Sequence, residues 1–320
     1  MLEQKELFRS VLLDPSTQPG INRLLIVSGF ATAGMADRHM EHLQKMGKAI
    51  SIELIVGMTR QNGVEKAQHY AFRKMTRECP YGMDFNCRYV GLGNPIHAKT
   101  YCWVKGDEPC VAFVGSANYT LTAFGRGQIE SVTEADQRSV MDFHHSMRRN
   151  TVDCNDDDIE QKIALTETGK MGEEDDESVT LSLLDKRTGE TPARSGINWG
   201  QRPGRDPNQA YINIPADIGR SGFFPERHEQ FTVLTDDGDS FIMVRAQDEG
   251  KGIETTQNNS LLGRYLRARI GVGSGEYVTR QHLVEYGRTS VTFRKIDEET
   301  YMMDFRPNMG PGEDVEGWQK

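Results

Sequence analysis

His97-Ala98-Lys99, followed by Gly115-Ser116-Ala117-Asn118 and then by Glu130, decides how this chain is read. Apolar runs at 98–104 and 111–114 read as two strands close enough in sequence to pair as a hairpin. Strand residues two apart project to one face, so His97 and Lys99 share it. An imidazole beside an ammonium suits a phosphodiester. The ring can attack phosphorus or donate a proton, and the ammonium can hold a non-bridging oxygen. Asn118 falls just past the second strand, at the same sheet end if the two strands pair, where its amide can donate to another phosphoryl oxygen. Ser116 can add a hydroxyl. Glu130, on a strand expected at 129–133, could hold the His97 ring in one tautomer.

Around this stretch, strands alternate with helices. Buried strands are expected at 24–27, 50–56 and 87–90, with helices at 36–46, 64–77 and 137–149. The first 150 residues therefore read as an α/β domain, a mixed sheet flanked by helices. Residues 1–150 hold 18 Lys and Arg against 15 Asp and Glu, residues 151–177 hold 2 against 11, and residues 178–320 hold 18 against 21. The net charge of −9 thus comes mostly from residues 151–177, which read as an extended acidic linker. Beyond it the pattern is mainly β, with strands at 179–184, 211–214, 231–234, 241–245, 290–295 and 301–304 and two short helices at 260–269 and 279–286. A small barrel spanning 178–306 fits this better than a sandwich, with a loose tail at 307–320.

The combination H-x-K, then G-S-x-N, then a carboxylate resembles the phospholipase D superfamily over roughly residues 20–150. One departure is visible: the family's Asp, five positions after the Lys, would fall at Val104, and Asp107 is out of register. The resemblance implies a covalent phosphohistidine on His97 and catalysis without a metal. Superfamily members usually supply two H-x-K motifs, one attacking phosphorus while the other protonates the leaving oxygen. This chain has eight histidines, and only His97 is followed two positions on by Lys. A homodimer that joins two copies at one catalytic centre is the simplest solution.

The second half narrows the branch. Residues 194–202 (Arg-Ser-Gly-Ile-Asn-Trp-Gly-Gln-Arg), 210–215 and 256–263 are similar to the C-terminal half of restriction endonucleases related to NgoFVII and NgoAVII. Those enzymes join a phospholipase-D-type nuclease domain to a DNA-binding pseudobarrel like that of plant transcription factors. The residue types agree. A long polar loop between two strands is often functional. The loop at 192–209 carries Arg194, Asn198, Trp199, Gln201, Arg202 and Arg205. A second polar segment carries Lys251, Gln257, Asn258 and Asn259. Arginine pairs with guanine edges, and Asn and Gln pair with adenine. Competing uses are helix capping for Asn258 or Asn259 and packing for Trp199, which is favoured there over base contact. Arg264, Arg267 and Arg269 fall on one helix as a solvated or phosphate-facing row.

The function expected is a sequence-specific, metal-independent restriction endonuclease acting on double-stranded DNA. A lipid phosphodiesterase is the first alternative, but no apolar or amphipathic membrane-binding surface is evident. A DNA-binding protein with a relic nuclease fold is the second, and it conflicts with His97, Lys99, Asn118 and Glu130 all being present. No cofactor is expected, and no motif for ATP is evident. Gly271-Val272-Gly273-Ser274-Gly275 lacks the Lys-Ser/Thr of a P-loop and reads as a flexible turn. His144-His145 reads as helix surface. On family grounds a cognate DNA methyltransferase is expected, and a separate ATP-dependent helicase-like subunit is an open partner. Five cysteines without C-x-x-C spacing, no apolar run near the roughly 18 residues of a membrane helix and an acidic N-terminus suggest a reducing cytoplasm and no membrane.

Overall fold

The computed structural model describes residues 2–125, 128–166, 178–247, 250–256 and 258–307. Two compact units divide along the chain near residue 175. The first holds a mixed eight-stranded sheet of β1 (Leu2–Glu3), β2 (Arg23–Ser28), β3 (Ser51–Val56), β5 (Phe85–Val90), β6 (Lys99–Lys105), β7 (Glu108–Gly115), β8 (Val132–Glu134) and β9 (Thr151–Asp153). Its order is β1-β8-β7-β6-β2-β3-β5-β9. The small strands β4 (Val64–Glu65) and β10 (Leu165–Thr166) pair separately in parallel. β2, β3 and β5 run parallel, whereas β6 runs antiparallel to β2 with Lys99 opposite Ser28. β7 returns as a hairpin. The start of β6 and the ends of β2 and β7 therefore meet at one end of the sheet.

Helices α1 (Leu7–Leu12), α2 (Ala33–Lys45), α3 (Lys66–Glu78), α4 (Leu121–Phe124), α5 (Gln137–Arg148) and α6 (Ile159–Lys162) complete this unit. One face of the sheet packs on α5, where Val140 and Met141 meet Leu25, Cys102, Val104 and Ala112. Alternation sends Trp103 to the other face, where its indole N–H donates to the Val11 carbonyl at 2.8 Å. His144 shares the core face of α5 instead of its surface, because it follows Val140 and Met141 at helical spacing; it is 1% exposed. Burial, then the charges of His145 and Arg148, pushes its pKa down to about 3.

Of the acidic segment expected as a linker, residues 151–166 form β9, α6 and β10. Thr151, Cys154, Ile159 and Ile163 are buried there, which a charge average conceals. Residues 167–177 lie outside the described residues, as does the expected tail from 308 onward. The strand expected at 129–133 begins only at Val132. The Ser116 hydroxyl accepts the Ser131 N–H at 3.0 Å, so a side chain stands where the ladder would continue beyond the Gly115–Val132 pair.

The second unit is a seven-stranded sheet curled into a nearly closed barrel. It comprises β11 (Ser178–Ser182), β12 (Ile212–Asn213), β13 (Gln230–Thr235), β14 (Ser240–Ala246), β15 (Gly252–Thr255), β16 (Ser290–Lys295) and β17 (Thr300–Asp304), in the order β11-β16-β17-β13-β14-β15-β12. Helices α7 (Ala216–Arg220), α8 (Ser260–Arg269) and α9 (Arg280–Tyr286) join them; α7 and β15 are too short to show a period in sequence. Phe223, Phe224, Phe231, Phe293 and Tyr301 fill the interior. Among the described residues no helix is long and apolar enough to cross a membrane.

Arg267 is not part of a solvated row. It is 1% exposed, and its guanidinium donates to the carbonyls of Glu276 at 2.8 Å, Gly263 at 3.1 Å and Ile197 at 3.2 Å. Its removal takes the side-chain donor from the buried Ile197 carbonyl and from the part-buried Glu276 carbonyl, and an unpaired buried polar group is costly. Arg267→Ala is expected to destabilise the barrel by about 3–5 kcal/mol, read as a lowered urea midpoint; a change under about 1 kcal/mol would contradict the role assigned to this side chain.

Candidate active site

His97 precedes β6 by two residues and is exposed, whereas Lys99 opens the strand at 8% exposure. The Lys99 ammonium donates to the His97 Nε2 and to the His97 carbonyl, both at 2.9 Å. An ammonium can only donate. The ring lone pair therefore sits on Nε2 and its proton on Nδ1, the tautomer in which Nε2 is a nucleophile. Burial pushes the Lys99 amine below its ordinary pKa, and the nearby Glu130 carboxylate works in the opposite direction.

Glu130 does not hold the His97 ring. It lies on the loop before β8, and it accepts the Ser116 hydroxyl instead. Ser116 is thereby fixed at the end of β7, where its own N–H donates to the Ser131 carbonyl at 2.9 Å. Glu130 thus orients Ser116 and supports the charge on Lys99.

The Asn118 amide is oriented by the turn that follows β2. The Phe30 N–H donates to Asn118 Oδ1 at 3.1 Å, and the Ser28 hydroxyl lies 3.4 Å from the same oxygen. A backbone donor demands the amide oxygen, so Nδ2 turns away; among the described residues it has no hydrogen-bond partner and is available as a donor. Ser28 in turn donates to the Phe30 carbonyl at 2.6 Å and accepts the Tyr119 N–H at 2.9 Å. Tyr119 is anchored by His39, whose ring nitrogens lie 2.8 Å from the Tyr119 hydroxyl and 2.7 Å from the Leu12 carbonyl. The carbonyl only accepts, so Nε2 carries the proton and Nδ1 accepts the phenol. Burial lowers the His39 pKa to about 4, which keeps the ring neutral. Ser28, Phe30, His39 and Tyr119 were not among the residues the motifs singled out. They act through backbone groups and buried hydroxyls, which leave no periodic signal.

Gly29 sits between His97 and Asn118. A Cβ there would lie 2.8 Å from His97 Cδ2 and 3.4 Å from Asn118 Oδ1. Phe30 stands edge-on to the His97 ring, with centroids 5.9 Å apart. Among the described residues no three His, Cys, Asp or Glu side chains gather to hold a metal ion.

In the barrel, the loop at 192–209 is not uniformly polar surface. Its middle is a tight 3-10 segment, Gly196–Gln201, with Ile197, Asn198 and Trp199 buried. Asn198 is 0% exposed. Its amide donates to the Pro192 and Val278 carbonyls and accepts the Val278 N–H, which leaves it no free edge for a base. Trp199 packs edge-on to Tyr211 at 5.4 Å, with the Arg205 guanidinium 4.0 Å from its ring centroid. Gln201 donates to the Pro207 and Gly275 carbonyls. Asn208 adds a hydrogen bond from the Gly275 N–H at 2.7 Å, so the glycine-rich turn at 271–275 is tied to the loop. Arg194, Arg202 and Arg205 are exposed, with Arg202 donating to the Arg194 carbonyl at 2.7 Å and Arg205 to the Gln209 amide at 2.9 Å. Lys251 is exposed. Asn258 Oδ1 accepts the Ser260 N–H at 2.9 Å in a local turn leading into α8, whose N-cap residue Asn259 makes no side-chain cap bond. Asn259 is half-buried against Glu254, and Gln257 lies outside the described residues.

Two family models match the chain. The NgoFVII restriction endonuclease N-terminal PLD domain matches residues 5–161, and the NgoFVII C-terminal B3-like DNA-binding domain matches residues 171–297. No curated protein sequence matches. Among solved structures, NucT from Helicobacter pylori is 14% identical, covering 48% of this chain and 97% of its own, with a TM-score of 0.32. Nuc from Salmonella typhimurium, a phospholipase D family member, is 13% identical, covering 43% and 86%, with a TM-score of 0.32. Polyphosphate kinase from Porphyromonas gingivalis is 12% identical over 43% of this chain, with a TM-score of 0.30; the match spans 20% of the kinase.

The close approach at Gly29 gives a direct check of the geometry. Gly29→Ala is expected to lower the rate of phosphodiester cleavage by at least about tenfold, because displaced reacting groups lose orientation. Its melting temperature should stay within about 3 °C of the parent chain. Undiminished cleavage would show that His97 and Asn118 do not need the spacing that Gly29 permits.

Proposed function

The chain belongs to the NgoFVII family of restriction endonucleases, and from this we propose that it is a site-specific deoxyribonuclease that cuts without a metal, through a phosphohistidine on His97. The observation that carries the reading is the 2.9 Å contact of Lys99 with His97 Nε2, beside an Asn118 amide whose N–H groups are turned outward. An incoming phosphodiester draws Lys99 from the ring to a non-bridging oxygen, and Asn118 Nδ2 donates to the other. The His97 Nε2 lone pair attacks phosphorus, the N–P bond forms and one P–O bond breaks. The leaving oxygen takes a proton from a second acid. Water then attacks phosphorus, gives up its proton to that same group, and releases His97.

The second acid in this proposal is His97 of another copy of the chain, in a homodimer with one shared centre. Phe30, Leu92 and Ile129 support such an arrangement. They are 37%, 64% and 96% exposed, and all three follow or precede strands at the end of the sheet that carries His97, where a second copy would cover them. The barrel supplies the DNA reading, with Arg194, Arg202, Arg205 and Lys251 as the exposed groups for bases and phosphates. A cognate methyltransferase for host protection, and an ATP-driven subunit acting beside this chain, are partners consistent with the family.

Plasmid cleavage should proceed in EDTA, since Lys99 supplies the positive charge that a metal otherwise would. His97→Ala should abolish cutting while leaving binding to the same site intact. Magnesium dependence of the cutting step by the chain alone would overturn the metal-free reading.

Mixing tests the shared centre. With wild-type and His97→Ala chains free to exchange, activity should fall as roughly the square of the wild-type fraction, because heterodimers lack one of the two histidines. A linear fall would assign the second acid to a group within the same chain.

A further inference from the structure

The outer face of the barrel around β15 carries an arrangement that the loop arginines do not explain. Ile253 and Thr255 point into the core at 0% and 1% exposure, so Glu254 between them points outward. Its carboxylate accepts the Gln247 side-chain N–H at 2.6 Å and lies 3.5 Å from the Asn259 Nδ2. Gln247 follows β14 with φ of 65°, a left-handed conformation uncommon for a residue with a side chain. Its carbonyl is held by the Gly250 N–H at 3.1 Å and by Arg227 at 3.3 Å, which fixes the main chain at Gln247. The face continues toward the other loop. A Cβ at Gly252 would lie 2.7 Å from Gln247 Cγ and 2.8 Å from Tyr211 Cδ2, and Tyr211 abuts Trp199, which carries Arg205.

An Asn or Gln reads adenine with both ends of its amide: the oxygen accepts from N6 and the nitrogen donates to N7. A free amide can flip and exchange the two. A carboxylate accepts only, so Glu254 selects the flip in which each NH₂ turns toward it. One N–H of Gln247 and one of Asn259 are used, while the second N–H and the carbonyl oxygen have no partner among the described residues. These are the two groups that an adenine edge requires. A carboxylate facing a polyanion also weakens binding to every sequence alike. Its placement here is therefore useful where it adds discrimination. We infer that Gln247 and Asn259 read adenine in the major groove, and that Glu254 is the positioning residue that sets the direction of both amides. The inference rests on the barrel being the DNA-reading half.

The test uses the full chain carrying His97→Ala, so that DNA is bound and not cut, and selects duplexes from a random-sequence library. The parent should select a site containing adenine at defined positions. Glu254→Gln, which lets both amides flip, should reduce the preference for adenine at those positions by about 5- to 150-fold, the range of one good bidentate base contact. It should leave affinity for a shuffled duplex equal or tighter, and the melting temperature unchanged. Gln247→Ala and Asn259→Ala should each lose preference at one of the same positions, which keeps the test decisive if Glu254→Gln folds poorly. A parent site without adenine, or adenine preference that survives all three substitutions, would overturn the inference while leaving the barrel as the reading half. A parent chain that selects no site would overturn both.

Discussion

Antiparallel pairing of β6 with β2, with Lys99 opposite Ser28, is the constraint on which the catalytic end depends. A strand parallel to β2 would begin at the far edge of the sheet. Because β6 runs the other way, its first residue comes level with the last residue of β2, and the turn after β2 can reach across to Asn118. The hairpin to β7 then returns Ser116 and Asn118 to the same edge. Two short motifs, His97 with Lys99 and Ser116 with Asn118, thereby converge without a long loop, and the backbone around Gly29 needs only to stay slim beside them. The rest of the first unit, from the α5 face to the Trp103 anchor, keeps that pairing dry.

Two kinds of polar group separate in this molecule. Lys99 and His97 are held against each other at 2.9 Å, a contact that the proposed mechanism has a phosphate displace. Asn118 Oδ1, Ser28, Tyr119 and His39 form a chain of bonds that fixes the Asn118 amide, whose Nδ2 is left without a partner among the described residues. In that proposal the first pair changes partner on binding, whereas the second set fixes where the change happens. Burial serves both: it keeps His39 neutral as an acceptor for Tyr119, and it draws the Lys99 amine toward losing its proton, with Glu130 working against that loss.

The sequence made the catalytic edge readable because short motifs there coincide with strand ends. H-x-K falls at the start of β6 and G-S-x-N at the end of β7, but His97, Ser116 and Asn118 lie just outside the strands, so pairing of the two strands, and not period-two alternation, brings them to one edge. Glu130 was legible as a carboxylate but not in its role, because its position depends on the Ser116 hydroxyl ending a ladder. In the barrel, residue type misled where burial decides. Asn198 and Arg267 have the chemistry of base and phosphate contacts, yet both are spent on buried carbonyls of their own chain. Glu254 gave no signal, since an acidic residue on a four-residue strand resembles ordinary surface. The acidic stretch concealed β9 and α6 because Thr151, Cys154, Ile159 and Ile163 are few among many charges, although they are the residues that bury.

The loop at 192–209 is braced almost wholly through main-chain groups. Asn198, Gln201, Asn208 and Arg267 bond carbonyls and N–H groups, and main-chain groups are the same whatever side chains their residues bear. The shape of the loop is therefore insulated from the identity of its exposed residues. Arg194, Arg202 and Arg205 can be exchanged in the course of descent without redrawing the scaffold that displays them. If the loop reads DNA as proposed, a scaffold built this way lets recognition drift one side chain at a time while the barrel stays as it is.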